Sequence, residues 1–323
     1  MKVNYNLIVS DLWLDFYGGI LVELSLTGVD FLDSFEEICT KGIDKYNMNK
    51  ISVFLLKINA NEFDYDLLVN NLLEPMADYS ISRKVKEQYC NKPMKLSKKA
   101  RERFVNYARN NGELGELLLY CFLEAHLKAP KILTKLELKT STSHYVNGAD
   151  GIHFLKLQNG NYQLIFGESK TIEDLTAAIS DAFKSIYEFK NEINEKGNKK
   201  SGINYEKGLI SDNLNKETFS DDEKEFLERL IYPKKESNFE VDDAFGIFVG
   251  FQMQITSEDK KMPNDMFRNK IKGQVEFEVN KRLEHINKKI DEYKLYGHNF
   301  YIYVLPFTEM SEKRKKVMEE LTR

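Results

Sequence analysis

The amino-acid sequence predicts an α/β fold in which helices flank a mixed central sheet. From Lys98 onward, helical and strand-like apolar patterns follow each other as helix, three strands, helix, strand, helix, strand and helix, apart from one short helix at 221–232. An Asn-Gly pair at 159–160 joins the second and third of these strands and is a strong signal for a tight β-hairpin. This order of elements is typical of an α/β sandwich around one sheet.

The predicted strands carry alternating or continuous apolar residues between turn-forming residues. They are GILVELSL (19–26), KISVFLLKI (50–58), ILTKLELKT (132–140), GIHFLKL (151–157), YQLIFGES (162–169), DAFGIFVGFQMQI (243–255) and NFYIYVLPF (299–307). The predicted helices have apolar residues three and four positions apart. They cover 31–46, 66–89, 98–127, 171–194, 221–232, 263–293 and 309–321, whereas 197–208 is a polar stretch without a predicted element.

A break at Pro93 divides the chain into two predicted regions. Ser97 suits the N-cap of the helix that follows the break. We therefore expect an N-terminal α+β extension over residues 1–97 and a second domain over 98–323, both of ordinary domain size. The first region is separated from the chemical motifs described below, so we hypothesise that it docks or restrains a partner.

Composition indicates a soluble protein. Hydrophobic residues make up 42% of the chain and charged residues 30%, which is an ordinary balance for a folded soluble protein. No apolar run approaches the roughly 20 residues that cross a bilayer, and acidic residues interrupt the apolar part of the first segment, unlike a secretory signal. Three scattered cysteines form no disulfide framework or CxxC pattern. We expect a cytoplasmic protein without a membrane partner.

A basic run between residues 83 and 109 is the candidate surface for nucleic acid. The whole chain has a net charge of −4, but this run contains ten basic and two acidic residues, a local charge of +8. Clustered lysine and arginine side chains bind phosphate backbones through counterion release. An equally acceptable interpretation is a solvated helical face. The candidate DNA contacts are Lys95, Lys98, Lys99, Arg101 and Arg103.

The segment GADGIHFLKLQNGNYQLIFGESK carries the residues most suited to catalysis. Because strand side chains alternate, Glu168 and Lys170 share one face of the third strand and Ser169 lies on the other. The hairpin brings Asp150, at the start of the second strand, beside the end of the third. Two adjacent carboxylates repel each other unless a cation lies between them. Hard, oxygen-binding ions such as Mg²⁺, with Mn²⁺ as a substitute, suit this position.

This combination of two acids and a lysine suits the hydrolysis of a phosphodiester. The metal would polarise the phosphate and activate water, and Lys170 would orient that water or neutralise the developing charge. Two glutamates of the preceding helix, Glu116 and Glu113, lie three residues apart on one face and are further candidates. Glu116 begins the regular apolar run and is the preferred third metal ligand, with Asp150 and Glu168. Either glutamate could instead be a solvated residue in a helical turn.

These residues resemble the PD-(D/E)xK nuclease superfamily, which includes restriction endonucleases. The superfamily core has the order helix, three strands, helix and strand, so the resemblance implies a restriction-endonuclease-like core; Ala149 stands where the superfamily often has proline. More narrowly, NGELGELLLY, LKTS, GADGIH and GESK resemble the HamA family, the nuclease subunits of Hachiman anti-phage defence systems. This similarity covers about 101–187.

The resemblance implies a Mg²⁺-dependent DNA endonuclease that is restrained and triggered by a helicase partner, HamB. The chain itself contains no GxxxxGK[ST] loop, so ATP use would belong to that partner. Two other functions remain open: a catalytically silent nuclease-like module that binds nucleic acid or scaffolds a helicase, and a ribonuclease.

Two features close to these residues are explained at least as well by a structural role as by a functional one. His153 is an odd number of residues from Asp150 and is predicted to be a hydrogen-bonded histidine on the opposite face of the sheet. Ser141, Thr142 and Ser143 are loop hydroxyls that could contact phosphates but are equally ordinary loop residues.

Overall fold

The structure is a computed structural model that describes residues 22–26, 30–46, 48–104, 112–138, 148–194, 196–199, 202–235 and 237–323. Its strands are β1 (Phe35–Gly42), β2 (Lys50–Leu56), β3 (Ile58–Asn59), β4 (Glu62–Phe63), β5 (Lys131–Thr134), β6 (Gly151–Lys156), β7 (Tyr162–Thr171), β8 (Val241–Gln252) and β9 (Phe300–Phe307). Its helices are α1 (Tyr65–Ser80), α2 (Arg83–Glu87), α3 (Pro93–Arg103), α4 (Glu113–Ala125), α5 (Lys135–Leu138), α6 (Leu175–Lys190), α7 (Ile203–Glu217), α8 (Asp221–Ile231), α9 (Ser257–Lys260), α10 (Asn264–Asn280), α11 (Leu283–Glu292) and α12 (Met310–Thr322).

A seven-stranded mixed sheet forms the centre of the molecule, in the order β1-β2-β9-β8-β7-β6-β5. The β1–β2, β5–β6 and β6–β7 pairs are antiparallel, whereas β2–β9, β9–β8 and β8–β7 are parallel. The central strands β8 and β9 are continuous apolar runs because both of their faces are covered, and all eight residues of β9 are buried. The predicted α/β fold with a mixed central sheet is confirmed.

Helices α4 and α6 cover opposite faces of β7, the strand that carries Glu168 and Lys170. A side chain on Gly115 of α4 would meet the Ser169 hydroxyl, with a Cβ–Oγ distance of 3.0 Å, so α4 lies on the Ser169 face. Lys170 points the other way and meets Asp181 of α6. The predicted alternation of Glu168 and Lys170 against Ser169 is therefore confirmed.

The N-terminal residues contribute to the same sheet as the rest of the chain. β2 pairs in parallel with β9, and β1 pairs with β2 at the sheet edge. The division between 1–97 and 98–323 stays a prediction, although the sheet extends across it. In the part of the chain that the structure describes, no helix combines the length and apolar character needed to cross a membrane.

The largest error of the sequence prediction is the helix over 31–46. A 3-10 turn at Phe31–Ser34 is followed by β1, because the backbone of 35–42 pairs with β2 and this tertiary pairing overrides a weak local helical pattern. Similarly, ILTKLELKT is a strand only to Thr134, after which α5 begins.

Smaller corrections concern segments elsewhere in the chain. The polar stretch 197–208 contains the start of α7, and the predicted helix over 263–293 consists of α10 and α11. Residues 22–26 contain no strand, and the rest of GILVELSL lies outside the described residues. The predicted helix over 98–127 corresponds to α3 and α4, with 105–111 outside the described residues.

Candidate active site

Asp150 is held at the start of the β6–β7 hairpin by its own backbone and side chain. The hairpin register sets Ile152 opposite Phe166, so the chain just before β6 runs beside the end of β7. The Asp150 amide donates to the Gly167 carbonyl at 2.8 Å, and the Ser169 amide donates to Asp150 Oδ2 at 2.8 Å. Asp150 is buried. The carboxylate therefore has one oxygen fixed by the backbone and the other directed away from it.

Glu168 and Lys170 form an ion pair on the α6 face of β7. The Lys170 Nζ lies 3.0 Å from Glu168 Oε1 and 3.3 Å from Asp181 Oδ2. Burial, followed by the charge of Asp150, raises the pKa of Glu168 to about 7, although Lys170 opposes this shift. Burial alone would lower the pKa of Lys170, but the charges of Glu168 and Asp181 outweigh it and raise that pKa.

Lys135 links two of the predicted carboxylates. Its Nζ lies 3.0 Å from Asp150 Oδ1 and 3.3 Å from Glu116 Oε1. Burial opposes the charged form, but the two carboxylates outweigh burial and raise the pKa of Lys135, so its ammonium is charged at neutral pH. Sequence analysis missed this residue because the segment around it reads as a strand, and no local pattern distinguishes it from a surface lysine.

Glu116 reaches the site from the first turn of α4 and is oriented by a residue of the N-terminal region. The Tyr79 hydroxyl, at the end of α1, donates to Glu116 Oε2 at 3.1 Å. Glu113 lies at the first position of the same helix and is buried too. Between the two predicted candidates, Glu116 is the one whose carboxylate shares the Lys135 ammonium with Asp150.

The predicted metal ligands are only partly assembled. Among the described residues, no group of three or more His, Cys, Asp and Glu side chains is arranged to hold a metal ion. Asp150 and Glu116 converge on Lys135, whereas Glu168 faces Lys170. The donors are nevertheless carboxylate oxygens, which suit Mg²⁺ or Mn²⁺, and two of them already share one cationic group. The donor chemistry fits a hard divalent ion, but only two of the three predicted ligands, Asp150 and Glu116, converge on one point.

Glu206 of α7 is a further acidic group behind Asp150. The Ala149 amide bonds to its carboxylate, and burial raises its pKa to about 7, although the charge of Lys135 opposes this. A Cβ on Gly148 would lie 1.5 Å from Glu206 Oε1, so any larger residue at that position would displace the Glu206 carboxylate. Glu206 was not predicted as a site residue, because it lies in the polar stretch 197–208, for which the sequence predicted no helix or strand.

The remaining predicted features separate into structural and exposed groups. His153 is fully buried and its Nδ1 lies 2.9 Å from the Ala129 carbonyl oxygen, as predicted for a structural histidine. Along α3, Lys95 and Lys98 are exposed and Lys99, Arg101 and Arg103 are half-buried. Their contact with DNA stays a prediction. Ser141, Thr142 and Ser143 lie outside the described residues.

Comparison with known proteins gives one family. The family model described as HamA matches residues 32–321 of the chain. No curated protein matches the sequence.

Proposed function

The chain belongs to the HamA family, and from this premise and the site geometry we propose that it is the DNA-cutting effector of a two-protein anti-phage defence system. Membership in the family indicates a role in Hachiman defence. The proposed reaction is divalent-metal-dependent hydrolysis of DNA phosphodiester bonds in the cytoplasm. The proposed partner is the helicase HamB, which restrains the nuclease until DNA is engaged.

The observation that carries the proposal is the placement of Asp150 beside the Glu168–Lys170 ion pair. Asp150 is fixed against the backbone of 167–169, and burial, followed by the charge of Asp150, raises the pKa of Glu168. The Glu168 and Lys170 side chains are 18% and 24% exposed, so a substrate can approach them.

Each proposed role follows from the groups that a side chain contacts. Asp150, Glu168 and Glu116 would hold Mg²⁺, and Tyr79 holds Glu116 in place from the opposite side. A bound divalent ion supplies a Lewis acid for the phosphate and lowers the pKa of a coordinated water. Lys170 remains charged beside Glu168 and donates hydrogen bonds to the attacking water or to the phosphate oxygens as negative charge develops there.

The arrangement of Lys135 favours one alternative, a catalytically silent nuclease-like module. Its ammonium already neutralises Asp150 and Glu116, as expected of a fold that has replaced a metal with an internal cation. Such a module would bind nucleic acid or scaffold the helicase without cutting.

The deciding experiment is a cleavage assay with the purified full-length chain, free of partner, in Mg²⁺ or Mn²⁺. We expect DNA cutting, and a loss of at least about 100-fold in Glu168→Gln and in Lys170→Met, because each change removes a charged group at the reacting phosphate. Parallel digestion of RNA tests the ribonuclease alternative.

A second Glu–Lys pair provides the matched control for these substitutions. Glu284 and Lys288 form an exposed ion pair of 2.8 Å on α11, and Glu284→Gln and Lys288→Met should cut at the wild-type rate. Normal cutting by Glu168→Gln and Lys170→Met would reject the assigned site. Metal-independent DNA binding without any cleavage would support the silent module.

A further inference from the structure

The Lys135 ammonium occupies the space between two carboxylates that the proposed metal also needs. Its Nζ hydrogen-bonds to Asp150 Oδ1 at 3.0 Å and to Glu116 Oε1 at 3.3 Å. Mg²⁺ binds oxygen at about 2.0–2.1 Å. One position between these oxygens therefore cannot hold both the ammonium and a metal ion, and the two cations would also repel each other.

The two carboxylates do not depend on Lys135 alone for their orientation. Asp150 Oδ2 accepts a hydrogen bond from the Ser169 amide, and Glu116 Oε2 accepts one from the Tyr79 hydroxyl. The oxygens that face Lys135 are the other member of each carboxylate. What Lys135 supplies at this point is positive charge, and a metal ion can supply the same charge to the same oxygens.

The Lys135 side chain is in part accessible to solvent. It is 14% exposed, in contrast to the more deeply buried Glu116 and Asp150 carboxylates at 5% and 8%. A lysine with a flexible four-carbon stem can move its ammonium towards water while the rest of the side chain stays packed. Withdrawal of the Lys135 ammonium would remove the cation that Asp150 Oδ1 and Glu116 Oε1 share.

We propose that Lys135 is a built-in competitor of the catalytic metal: its ammonium holds Asp150 and Glu116 in a neutralised resting state, and a divalent ion binds them only when that ammonium withdraws. This inference rests on the proposed function, because it concerns the same carboxylates. It assigns Lys135 a regulatory role in positioning and charge, without contact to the substrate.

The test is Mn²⁺ binding to the metal-stripped full-length chain by calorimetry. Lys135→Met removes the charge with little change in side-chain length, and we expect it to bind Mn²⁺ about 10-fold or more tightly than wild type, since loss of one nearby repelling charge has at least this effect. Lys135→Arg keeps the charge and should bind as weakly as wild type. Equal or weaker binding by Lys135→Met would overturn the inference.

Adding Asp150→Asn to the Lys135→Met chain separates failure of the inference from failure of the proposed function. If Mn²⁺ binding disappears in this double variant, the metal lies at Asp150, and only the affinity ratio of Lys135→Met to wild type decides the role of Lys135. If binding persists unchanged, or if neither wild type nor Lys135→Met binds Mn²⁺, the proposed metal site is wrong and the inference fails with it.

Thermal unfolding gives a readout that does not require the variant to be stable without metal. In EDTA, Lys135→Met should melt below wild type because two carboxylates are left facing each other, and Mn²⁺ should raise its Tm more than that of wild type. An equal or smaller rise contradicts competition. A variant that stays unfolded with and without Mn²⁺ also contradicts it, because Lys135 would then be a structural residue that metal cannot replace.

Discussion

Lys131 and Lys135 lie four residues apart and are both paired with acids, yet their surroundings differ in one decisive way. The Lys131 side chain is fully buried, contacts the Glu137 carboxylate and donates to the Asp78 carbonyl at 2.7 Å. The Lys135 side chain is 14% exposed and shares two carboxylates at the end of the hairpin. Lys131 therefore forms a buried structural contact, whereas Lys135 occupies a position that is accessible from solvent.

The Lys131 cluster joins parts of the chain that are distant in sequence. Its Nζ reaches the end of α1 at Asp78, and its amide donates to Glu124 of α4 at 2.6 Å. Glu137 is fixed in turn by the Thr134 amide at 2.8 Å. Buried charges are tolerated when their hydrogen-bonding capacity is satisfied, as it is here. Both lysines have two hydrogen-bond partners, so the comparison teaches that solvent access, more than charge or pairing, distinguishes them.

Among the substitutions that test this comparison, Lys131→Met is expected to cause the largest loss of stability. Removing this partner leaves Glu137 as a buried charge without its cation, and breaking such a pair costs about 3–5 kcal/mol of the free energy of unfolding. Urea denaturation measures the loss, and Mn²⁺ should not restore it, unlike the loss expected in Lys135→Met. Lys98→Met is the matched control, because Lys98 is 78% exposed and its loss should stay within about 0.5 kcal/mol. A Lys131→Met chain with a near-normal unfolding midpoint would erase the distinction between the two lysines.

A smaller effect, and one that depends on pH, is expected from Glu217 of α7, which faces the Lys131 cluster. Burial, followed by the charge of Glu137, raises the pKa of Glu217 from 4.5 to about 8, although Lys131 and Arg83 oppose the shift. As the pH rises, the unfolded chain releases this proton near pH 4.5 and the folded chain only near pH 8. The associated stability is therefore complete below pH 4.5 and is lost as the pH rises through about 8.

Glu217→Gln removes this titration and isolates it from the other acids. One unit of pKa difference corresponds to about 1.4 kcal/mol, so wild type should lose at least about 1 kcal/mol more than Glu217→Gln between roughly pH 6 and pH 9. Urea unfolding of both chains at the two pH values gives the comparison, and groups such as Glu206 contribute equally to both chains. Parallel pH profiles would show that Glu217 is ionised in the folded protein throughout this range.

The elements that sequence could predict are those fixed by local geometry. Strand alternation places Glu168 and Lys170 on one face, and the Asn159–Gly160 turn, with Gly160 at a φ of 87°, defines the hairpin that carries Asp150 to β7. The apolar runs of β8 and β9 likewise predict two strands, and the structure adds that both pair in parallel and are largely buried.

The parts that sequence could not predict depend on contacts between distant segments. Tyr79 and Glu116 are 37 residues apart, and Lys135 is 15 residues from Asp150, so no local spacing signals either pair. The sequence of β1 alone has a helical pattern, and only its pairing with β2 makes it a strand. The same limit explains why Glu206 was missed, because the packing of α7 brings it to Gly148 and Ala149 from more than 50 residues away in the sequence.

The central claim is that Asp150 belongs to a metal-dependent nuclease site, and the most direct measurement is plasmid cleavage by Asp150→Asn across a series of Mn²⁺ concentrations. The asparagine oxygen can still accept the Ser169 amide, so the fold should be preserved. We expect wild type to cut with Mn²⁺ and to stop in EDTA, and Asp150→Asn to cut at least about 100-fold more slowly at every concentration. Cutting by Asp150→Asn at the wild-type rate, with a wild-type urea midpoint, would contradict the assignment.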